Sequence, residues 1–266
     1  MTSESADKWQ SGAAYESYMG RWSRFLARPF VEWLDVKPAA HWLDVGCGTG
    51  ALTHAVCEHG DPASVVACDS ADAFVEHARK SRPDARASFV VAGADALPSR
   101  PGGFDAIVSG LVLNFLPQPQ RALASMRERL GANGLAGAYV WDYAVGTEFL
   151  QHFWAEAAAS DPRATALDER TRFPLCEPTA LASLFRAAGF ADVDTMALDI
   201  PTAFVDFDDF WRPFLGGTGP APSYVTALEP QQREDLRRRL ARRLPAERDG
   251  SIRLRARAWA VRGISA

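Results

Sequence analysis

The sequence predicts an α/β protein with a doubly wound, mainly parallel sheet, and three observations support that prediction. First, an apolar run passes within two residues into a glycine-rich loop and then into a helical pattern, over residues 42–58. Second, apolar strand-like runs alternate with helical patterns from there to Trp141. Third, residues 252–261 alternate between apolar and mostly basic side chains. Strands that alternate with helices form parallel sheets whose faces are covered by those helices.

The first half of the chain supplies an opening helix and five strands. Aromatic and aliphatic residues recur at three- and four-residue steps over residues 8–34, which predicts a helix that Pro38 closes. Further helices are predicted over residues 50–58, 71–80 and 118–130. From their β-branched and apolar runs, strands are predicted at residues 41–45, 64–69, 87–91, 104–110 and 135–141, the last after a turn at 131–134.

The second half contains two longer segments outside this alternation. Residues 144–175 predict a helix and a loop, and about fifty residues separate the last two strands, far more than a hairpin needs. Between these segments the pattern predicts a helix over 177–189, which Gly189 ends, and a strand over 193–200. A helix over 230–244 and a strand over 252–261 follow, and the alternation of that strand suits antiparallel pairing with one wetter face.

The composition allows a substantial core and gives no electrostatic reason to expect a polyanionic partner. The chain has 266 residues, of which 47% are apolar, and a net charge of −4. None of its 4 cysteines falls in a C-x-x-C arrangement, so we expect reduced thiols and a cytoplasmic setting. No apolar run approaches the roughly 20 residues of a membrane span, so we expect no membrane-spanning segment.

The glycine-rich loop predicts a bulky polar ligand. Glycine lets the backbone turn sharply and lets a ligand approach, and the following helix directs its free N–H groups at the same point. The spacing Gly46-x-Gly48-x-x-Ala51, with Asp69 about twenty residues later, satisfies the dinucleotide fingerprint. On the glycines alone, a nicotinamide cofactor such as NAD therefore stays open.

Three features favour a different nucleotide. Asp44 precedes the first glycine by two residues, Gly50 extends the spacing to G-x-G-x-G, and a second acid, Asp95, ends a later strand-like segment. With these residues the chain resembles the class I S-adenosylmethionine (SAM)-dependent methyltransferases, especially the small-molecule type that includes the ubiquinone and menaquinone C-methyltransferases. The resemblance covers about residues 38–142 well and the rest loosely.

The resemblance implies a Rossmann-like seven-stranded sheet, with its last strand antiparallel, and a small helical cap. It also implies SAM as cofactor and S-adenosylhomocysteine as product. The organisation expected is an N-terminal helical lid (1–37), a SAM-binding core (38–142), a cap insertion (143–176), a core helix and strand (177–200), a second cap insertion (201–250) and a final core strand (251–266).

The resemblance also assigns residues to the cofactor. Asp69, at the tip of the second strand, is expected to accept hydrogen bonds from the ribose diol, and it can at the same time cap the next helix. Asp95 is expected to take the adenine amino group, the alternative being an ordinary turn aspartate. An N-terminal arginine, Arg21 or Arg24, is expected to bind the cofactor carboxylate. The full set implied is Asp44, Gly46, Cys47, Gly48, Gly50, Asp69, Ser70, Ala94, Asp95, Ala96, Leu111 and Arg21.

Aromatic residues of the lid and cap, with one asparagine, are candidates for binding the acceptor. The alternative for each is ordinary packing, and for Asn114 the capping of a turn. The candidates are Tyr18, Trp22, Asn114, Trp141, Trp154, Phe204, Trp211 and Phe214. The arginines of the helix over 230–244 are interpreted as a solvated face, since leucines at four-residue steps and neighbouring acids accompany them.

Methyl transfer from a sulfonium needs little catalytic machinery, because the reacting carbon is already activated and the enzyme can work by positioning. A general base would help a hydroxyl acceptor, and the candidates near the exit of the fifth strand are His152, Asp142 and Tyr143. The [DN]-P-P-[FYW] segment typical of methylation at exocyclic or glutamine amino groups is missing, since Asn114-Phe-Leu-Pro stands there.

The sequence therefore predicts a SAM-dependent methyltransferase that acts on a small molecule at oxygen, nitrogen or carbon. Nucleic acid is not expected as a partner. Three alternatives stay open at this point: an RNA methyltransferase that uses the arginine helix, a SAM-binding protein without catalysis, and an NAD-dependent oxidoreductase. The identity of the acceptor and the oligomeric state have no motif in this sequence.

Overall fold

A seven-stranded sheet organises the protein, and its strand order is β3-β2-β1-β4-β5-β7-β6. The computed structural model describes residues 16–217 and 219–265. The strands are β1 His41–Val45, β2 Ser64–Asp69, β3 Ala87–Val91, β4 Phe104–Gly110, β5 Leu130–Trp141, β6 Phe190–Phe204 and β7 Ile252–Ser265. The last strand is antiparallel, and the fold class predicted from the sequence is confirmed.

Within the described residues, helices connect most of the strands; β3 and β4 are joined by a segment without a helix. The helices are α1 Arg21–Leu34, α2 Ala51–His59, α3 Asp72–Ser81, α4 Pro119–Arg129, α5 Glu148–Ser160, α6 Glu169–Arg172, α7 Pro178–Ala187, α8 Phe207–Trp211, α9 Pro220–Ala227 and α10 Pro230–Arg243. Several begin with proline, whose missing N–H costs nothing at the first helical position. The described part of the chain contains no helix both long and apolar enough to cross a membrane.

The predicted boundaries of β1 to β4 agree with the structure, whereas β5, β6 and β7 are longer than predicted. β5 begins at Leu130, where the sequence predicts a turn before a strand at Leu135. Leu130 pairs with Phe104 and Leu135 pairs with Ala106, so the intervening glycine-containing residues form an irregularity within the strand. β7 lies between β5 and β6 in the sheet, and pairing on both edges favours long strands.

The opening helix differs from its prediction in extent and in form. Residues 8–15 of the predicted helix lie outside the described residues. Glu16–Gly20 form a π-helical turn, and α1 follows directly from it. Pro29 lies inside α1, so the amphipathic pattern overrides a residue that usually interrupts helices.

The chain divides into two compact units, and each is described by itself. The first unit comprises Ser23–Val140, Leu175–Leu198 and the described part of Ala258–Ala266. The second unit comprises the described part of Met1–Trp22, together with Trp141–Pro174 and the described part of Asp199–Arg257.

The core of the first unit is built where helices α4 and α7 cover the sheet. Leu123 and Met126 of α4 and Phe185 of α7 are fully buried together with strand residues such as Ile107 and Ala138. The parallel strands carry nearly continuous apolar runs because both of their faces are covered. This rigid platform positions the loops that leave the carboxyl ends of β1, β2 and β4.

Candidate functional site

The loop after β1 turns sharply at three glycines. Gly46, Gly48 and Gly50 have φ angles of 73°, 52° and 91°, in the left-handed region that other residues rarely adopt. The backbone N–H groups of Gly46 and Cys47 both donate to the carbonyl oxygen of Cys68, at 2.8 and 2.9 Å. The loop is thus pinned to the end of β2, and α2 starts directly after it.

Two glycines of this loop have opposite surroundings. A methyl group placed on Gly46 would lie 2.5 Å from a methyl carbon of Val112, so the loop packs directly against the segment that follows β4. A methyl group placed on Gly48 would meet no atom of the described residues within 4 Å. The backbone at Gly48 therefore borders open space that a ligand can enter, which fits a cofactor held by the loop.

Asp44, in β1, is completely buried behind the loop. Its Oδ2 accepts a hydrogen bond of 2.6 Å from the Thr53 hydroxyl, while Oδ1 is buried with no hydrogen-bond partner among residues 16–217 and 219–265. Burial raises the pKa of Asp44 to about 7, helped by the nearby charge of Asp69 and opposed by the hydrogen bonds from Thr53. A buried carboxylate with an open acceptor is suited to a cationic group such as an ammonium.

Asp69, at the carboxyl end of β2, joins the loop to the next helix. Its Oδ2 accepts the N–H of Gly48 and its Oδ1 accepts the N–H of Ala71, both at 2.9 Å. A carboxylate has about four acceptor positions, so two hydrogen bonds leave room for a diol. The structure thus shows a capping-type contact for Asp69, and the ribose role stays a prediction.

We expect Asp69→Ala to weaken binding of S-adenosylhomocysteine by roughly tenfold to hundredfold. The ribose hydroxyls would lose their carboxylate acceptor, and the N–H of Gly48 would lose the oxygen that holds the loop. Calorimetric titration measures the affinity. Asp69→Asn serves as the matched control, because it keeps one oxygen acceptor and is expected to lose less affinity. Equal binding by wild type and Asp69→Ala would contradict the assignment.

Five further residues assigned to the cofactor lie on loops of the first unit, namely Cys47, Ser70, Ala94, Asp95 and Ala96. Ser70, Asp95 and Ala96 are exposed, whereas Ala94 is half-buried. Burial raises the pKa of the Cys47 thiol far above its ordinary value, so this cysteine is an apolar contact and not a reactive thiol. Their contacts with a cofactor stay predictions.

Leu111 has a strained backbone directly after β4. Its φ angle is 64°, unusual for a leucine, and its N–H donates to the carbonyl of Tyr139 at 2.8 Å. Strained backbone of this kind occurs preferentially at functional sites.

Asn114 follows in a short 3₁₀ turn, Leu113–Phe115. Its Nδ2 donates to the Cys176 sulfur at 3.5 Å, and its Oδ1 is buried with no hydrogen-bond partner in the described part of the chain. The side chain is therefore fixed at one end and presents an acceptor at the other. Its role toward adenine or acceptor stays a prediction.

The sequence reasoning missed Thr53 and Val112. Both support the loop, Thr53 through the carboxylate of Asp44 and Val112 through contact with Gly46. A signal for Thr53 existed, since a hydroxyl one turn into the helix after a glycine loop can reach back to the preceding strand. Val112 had none, because its contact depends on where the β4 exit lies in the fold.

In the second unit, aromatic rings from distant segments contact one another, and we call them the aromatic cluster. Tyr18 contacts Phe149 and Phe214, with ring centroids 6.4 and 5.5 Å apart. Phe153 stacks on Phe214 at 4.6 Å, and Trp154 is 4.9 Å from Phe153. Its members are Tyr18, Trp22, Phe149, Phe153, Trp154, Phe204, Phe210, Trp211, Phe214 and Tyr224.

The structure thus brings together most of the predicted acceptor-binding residues. Tyr18, Trp22, Trp154, Phe204, Trp211 and Phe214 are all members of the cluster. The sequence reasoning did not assign Phe149 and Phe153, although their helical spacing with Trp154 carried a signal. Trp141, at the end of β5, is buried in the same unit. An acceptor role for any of these residues stays a prediction.

Arg21 is held by an acid of the second unit. Its two terminal nitrogens donate to the two carboxylate oxygens of Asp209 at 2.9 and 3.1 Å, and its guanidinium lies 4.5 Å from the ring of Trp22. This bidentate contact holds the pKa of Asp209 below its ordinary value. A cofactor carboxylate would have to compete with Asp209 for this guanidinium. The assignment of Arg21 to the cofactor therefore stays a prediction.

Asp142 and Tyr143 follow the end of β5 and are both buried. Oδ1 of Asp142 accepts the N–H of Val145 at 2.9 Å, and Oδ2 is buried without a hydrogen-bond partner among the described residues. The ring of Tyr143 lies 5.6 Å from that of Phe173. One carboxylate oxygen of Asp142 is thus fixed by its neighbours, and a role for the other in catalysis stays a prediction.

His152 lies where α5 and α10 contact each other. Its Nδ1 accepts a hydrogen bond of 3.2 Å from Arg243, whose other nitrogen binds Glu156. Burial, and next the charge of Arg243, lower the pKa of His152 below its ordinary value. A histidine bound to an arginine in this way joins two helices, and its catalytic role stays a prediction with less support than that of Asp142.

The sequence of this chain is similar to those of known methyltransferases. Residues 43–134 match a family model described as a methyltransferase domain. The chain is similar to the malonyl-[acyl-carrier protein] O-methyltransferase of Geobacter sulfurreducens, with 31% identity over 208 residues, 76% of this chain and 75% of that protein. It is also similar to the nocamycin O-methyltransferase of Saccharothrix syringae, with 29% identity over 248 residues, 85% of each chain.

Solved structures share the fold. The phosphoethanolamine N-methyltransferase 2 of Haemonchus contortus, in complex with SAM, superposes with a TM-score of 0.57 at 15% identity. The match covers 95% of this chain and 56% of that one. At this identity the likeness concerns the architecture of the sheet and its helices.

Proposed function

Because this chain belongs to the class I SAM-dependent methyltransferases, we propose that it transfers the methyl group of SAM to an oxygen atom of a small, largely apolar molecule. Family membership confirms the resemblance based on the G-x-G-x-G loop, and with it the enzyme class and the cofactor. The acceptor and the atom that is methylated are the part we propose.

The first unit holds the cofactor in this proposal. The loop at Gly46–Gly50 faces the open space beside Gly48, Asp44 receives the cofactor ammonium, and Asp69 receives the ribose hydroxyls. Bound SAM supplies a methyl carbon already activated by the sulfonium. The chain then has to hold the acceptor oxygen, exclude water and take up a proton.

The main support for a small, largely apolar acceptor is the aromatic cluster of the second unit. Ten rings from five separate segments of the chain contact one another there, among them the pairs Tyr18–Phe214 and Phe153–Phe214. Clusters of rings with a few polar groups are typical of sites for small, partly apolar ligands. Two similar proteins, those of Geobacter sulfurreducens and Saccharothrix syringae, carry names that specify O-methylation, which favours oxygen over nitrogen or carbon.

An RNA acceptor has less support, because five of the six arginines of α10 contact groups of the protein itself. Arg233 donates to backbone carbonyls before the helix, including that of Val225 at 3.1 Å. Others form ion pairs, namely Arg237 with Asp208, Arg238 with Asp235, and Arg239 and Arg243 with Glu156. Paired arginines attract phosphates weakly compared with a cluster of unpaired ones.

Asp142 is the residue we favour for receiving the proton of a hydroxyl acceptor. Its Oδ2 is buried and has no hydrogen-bond partner among the residues described, and the N–H of Val145 fixes the other oxygen. Tyr143 is adjacent, whereas His152 already accepts a hydrogen bond from Arg243. A carboxylate in this position can accept the proton of a hydroxyl acceptor, whereas an acceptor that is already anionic has no proton to lose.

The test is transfer of isotope-labelled methyl from SAM to panels of phenols, carboxylic acids, amines and structured RNA, with identification of the labelled atom by mass spectrometry. We expect label in phenols or acids and none in RNA. Asp142→Asn is expected to slow transfer to a phenol by roughly a hundredfold, within the range for loss of a general base, with little change for a carboxylate acceptor. Label in amines alone, or in RNA alone, would refute the proposed acceptor class.

A further inference from the structure

Glu169 is a buried carboxylic acid at the edge of the aromatic cluster, and no role described above uses it. Only 3% of its surface is exposed, and its Oε2 accepts the indole N–H of Trp154. It lies in the run Asp168-Glu169-Arg170-Thr171-Arg172, which the sequence alone presents as a solvent-facing turn. Glutamate is rarely buried to this extent unless it is paired or functional.

Tyr18 brings a second buried polar group to the same rings. The residue is 4% exposed, and its hydroxyl has no hydrogen-bond partner within residues 16–217 and 219–265. Its ring lies against Phe149 and Phe214. Buried hydroxyls in folded proteins almost always have a partner, so a hydroxyl without one indicates a group that something else completes.

Burial favours the neutral form of Glu169. It raises the pKa of Glu169 to about 8, against the hydrogen bonds from its own backbone N–H and from Trp154, which lower the pKa; the charge of Asp168 raises it and that of Arg172 lowers it. Asp168 itself is bound by Arg170 at 2.6 Å. Burial, followed by the charge of Glu169, raises the pKa of Tyr18 well above its ordinary value. At neutral pH both groups therefore carry their protons.

The polar groups at this edge of the cluster are mostly donors. Tyr18 offers an O–H, and neutral Glu169 offers an O–H beside the oxygen that Trp154 occupies. A ligand that completes them must bring acceptor lone pairs. An ammonium group would instead add a second cation near Arg172 and leave the Tyr18 hydroxyl without an acceptor.

We propose that Glu169 and Tyr18 form the polar end of a binding site for a carboxylate carried on an aromatic or apolar body. The aromatic cluster receives that body, and the two O–H groups donate to the carboxylate. The inference rests on the proposed function only in taking this ligand to be the methyl acceptor, and the binding site stands without that step.

The test uses three probes of one shape: 2-naphthoate, 2-naphthamide and 2-naphthylmethylamine, titrated into the full chain without cofactor. We expect 2-naphthoate to bind about tenfold more tightly than the other two. Tyr18→Phe is expected to remove that preference by weakening the carboxylate roughly tenfold. Tyr139→Phe, which removes a hydroxyl from a buried tyrosine of the first unit, outside the cluster, is the matched control and is expected to bind like wild type.

The pH profile separates ligand binding by Glu169 from a purely structural role. Because the neutral acid is the binding form, affinity for 2-naphthoate should fall about tenfold from pH 7 to pH 9, as Glu169 titrates near 8. Glu169→Gln keeps an acceptor for Trp154 and a donor for the ligand, so it should bind with a nearly flat profile. Equal binding of the three probes, no binding of 2-naphthoate at millimolar concentration, or a pH profile unchanged in Glu169→Gln would overturn the proposal.

Failure of the inference and failure of the proposed function give different results. If the carboxylate preference and its pH profile are found but labelled methyl reaches no small molecule, the site stands and the proposed acceptor class fails. If small molecules are methylated at oxygen but Tyr18→Phe changes neither KM nor probe binding, the proposed function stands and this inference is wrong.

Discussion

Gly48→Ala is expected to weaken binding of S-adenosylhomocysteine by roughly tenfold to hundredfold while the protein stays folded. The added methyl group meets no protein atom within 4 Å, so it projects into the space that we assign to the cofactor. Overpacking of that kind costs about 1–3 kcal/mol of binding free energy. The backbone φ of 52° adds about 1–2 kcal/mol to the cost of folding, because alanine disfavours the left-handed region.

Gly46→Ala is the matched control, two residues away in the same loop. Its φ of 73° carries a similar penalty, but its methyl group would lie 2.5 Å from a carbon of Val112. We expect it to destabilise the fold by about 2–5 kcal/mol, the sum of the strain and the overpacking. Adding Val112→Ala should relieve the overpacking and leave the strain.

Urea unfolding measures the stability of these variants, and calorimetric titration measures their affinity for S-adenosylhomocysteine. The expected pattern is a large loss of affinity with a small loss of stability for Gly48→Ala, and a large loss of stability for Gly46→Ala that Val112→Ala partly restores. If Gly48→Ala binds S-adenosylhomocysteine as wild type does, the cofactor does not use the open space beside this glycine.

The affinity for SAM is expected to fall about tenfold from pH 8 to pH 6 because of Asp44. Its pKa of about 7 makes the carboxyl about nine-tenths ionised at pH 8 and about one-tenth at pH 6. If only the ionised form accepts the cofactor ammonium, the apparent dissociation constant rises as that fraction falls. Asp44→Asn should bind more weakly than wild type and lack this component of the pH profile.

The profile of Asp44→Asn also serves as the control, since it contains every other titration, including that of the cofactor. The quantity to compare is the ratio of the two dissociation constants at each pH, obtained by calorimetry. A ratio that stays constant from pH 6 to pH 8 would exclude Asp44 as the group that governs affinity.

The same carboxyl has a second consequence, for stability. The pKa of Asp44 is about 7 when folded and 3.8 ordinarily, so the folded state binds this proton more tightly than the unfolded chain does. Ionisation therefore costs stability progressively as pH rises from about 4 to 7, and the full cost, about 4 kcal/mol as an upper bound, is present above pH 7. Below pH 4 it is absent.

Asp44→Asn should accordingly gain stability relative to wild type as pH rises from 5 to 8, as measured by urea unfolding in the absence of cofactor. Wild type and Asp44→Asn both have a side-chain oxygen that can accept the Thr53 hydroxyl, so the comparison isolates the effect of the charge at residue 44. A difference in stability that does not change with pH would mean that Asp44 is not appreciably protonated in the folded protein near neutral pH.

Local patterns were sufficient to predict most of the first unit. The strands His41–Val45 and Ser64–Asp69 could be placed because short apolar runs bounded by turn residues are local features. The turn predicted before Leu135 was wrong as a strand boundary, because pairing of Leu130 with Phe104 across the sheet extends β5. Neighbouring strands, which lie far away in sequence, decide where a strand ends.

The candidate site shows the same division. The loop at Gly46–Gly50 could be found from the spacing of its glycines, because positive φ angles at these positions favour glycine and depend only on the local backbone. Glu169 could not be found, since a glutamate between Asp168 and Arg170 has the composition of an exposed turn. Its burial depends on Trp154 and on rings contributed by several segments of the chain.

The sequence by itself determined the order of strands and helices, the glycine loop and, through these, the family and its cofactor. These follow from periodicity and backbone preference within a few residues. Only the tertiary structure decided that Asp44 and Glu169 titrate near neutrality, that Asp209 binds Arg21 across 188 residues, and that the Tyr18 hydroxyl is left without a partner among the described residues. Burial and pairing depend on residues brought together from distant segments, so no local pattern encodes them.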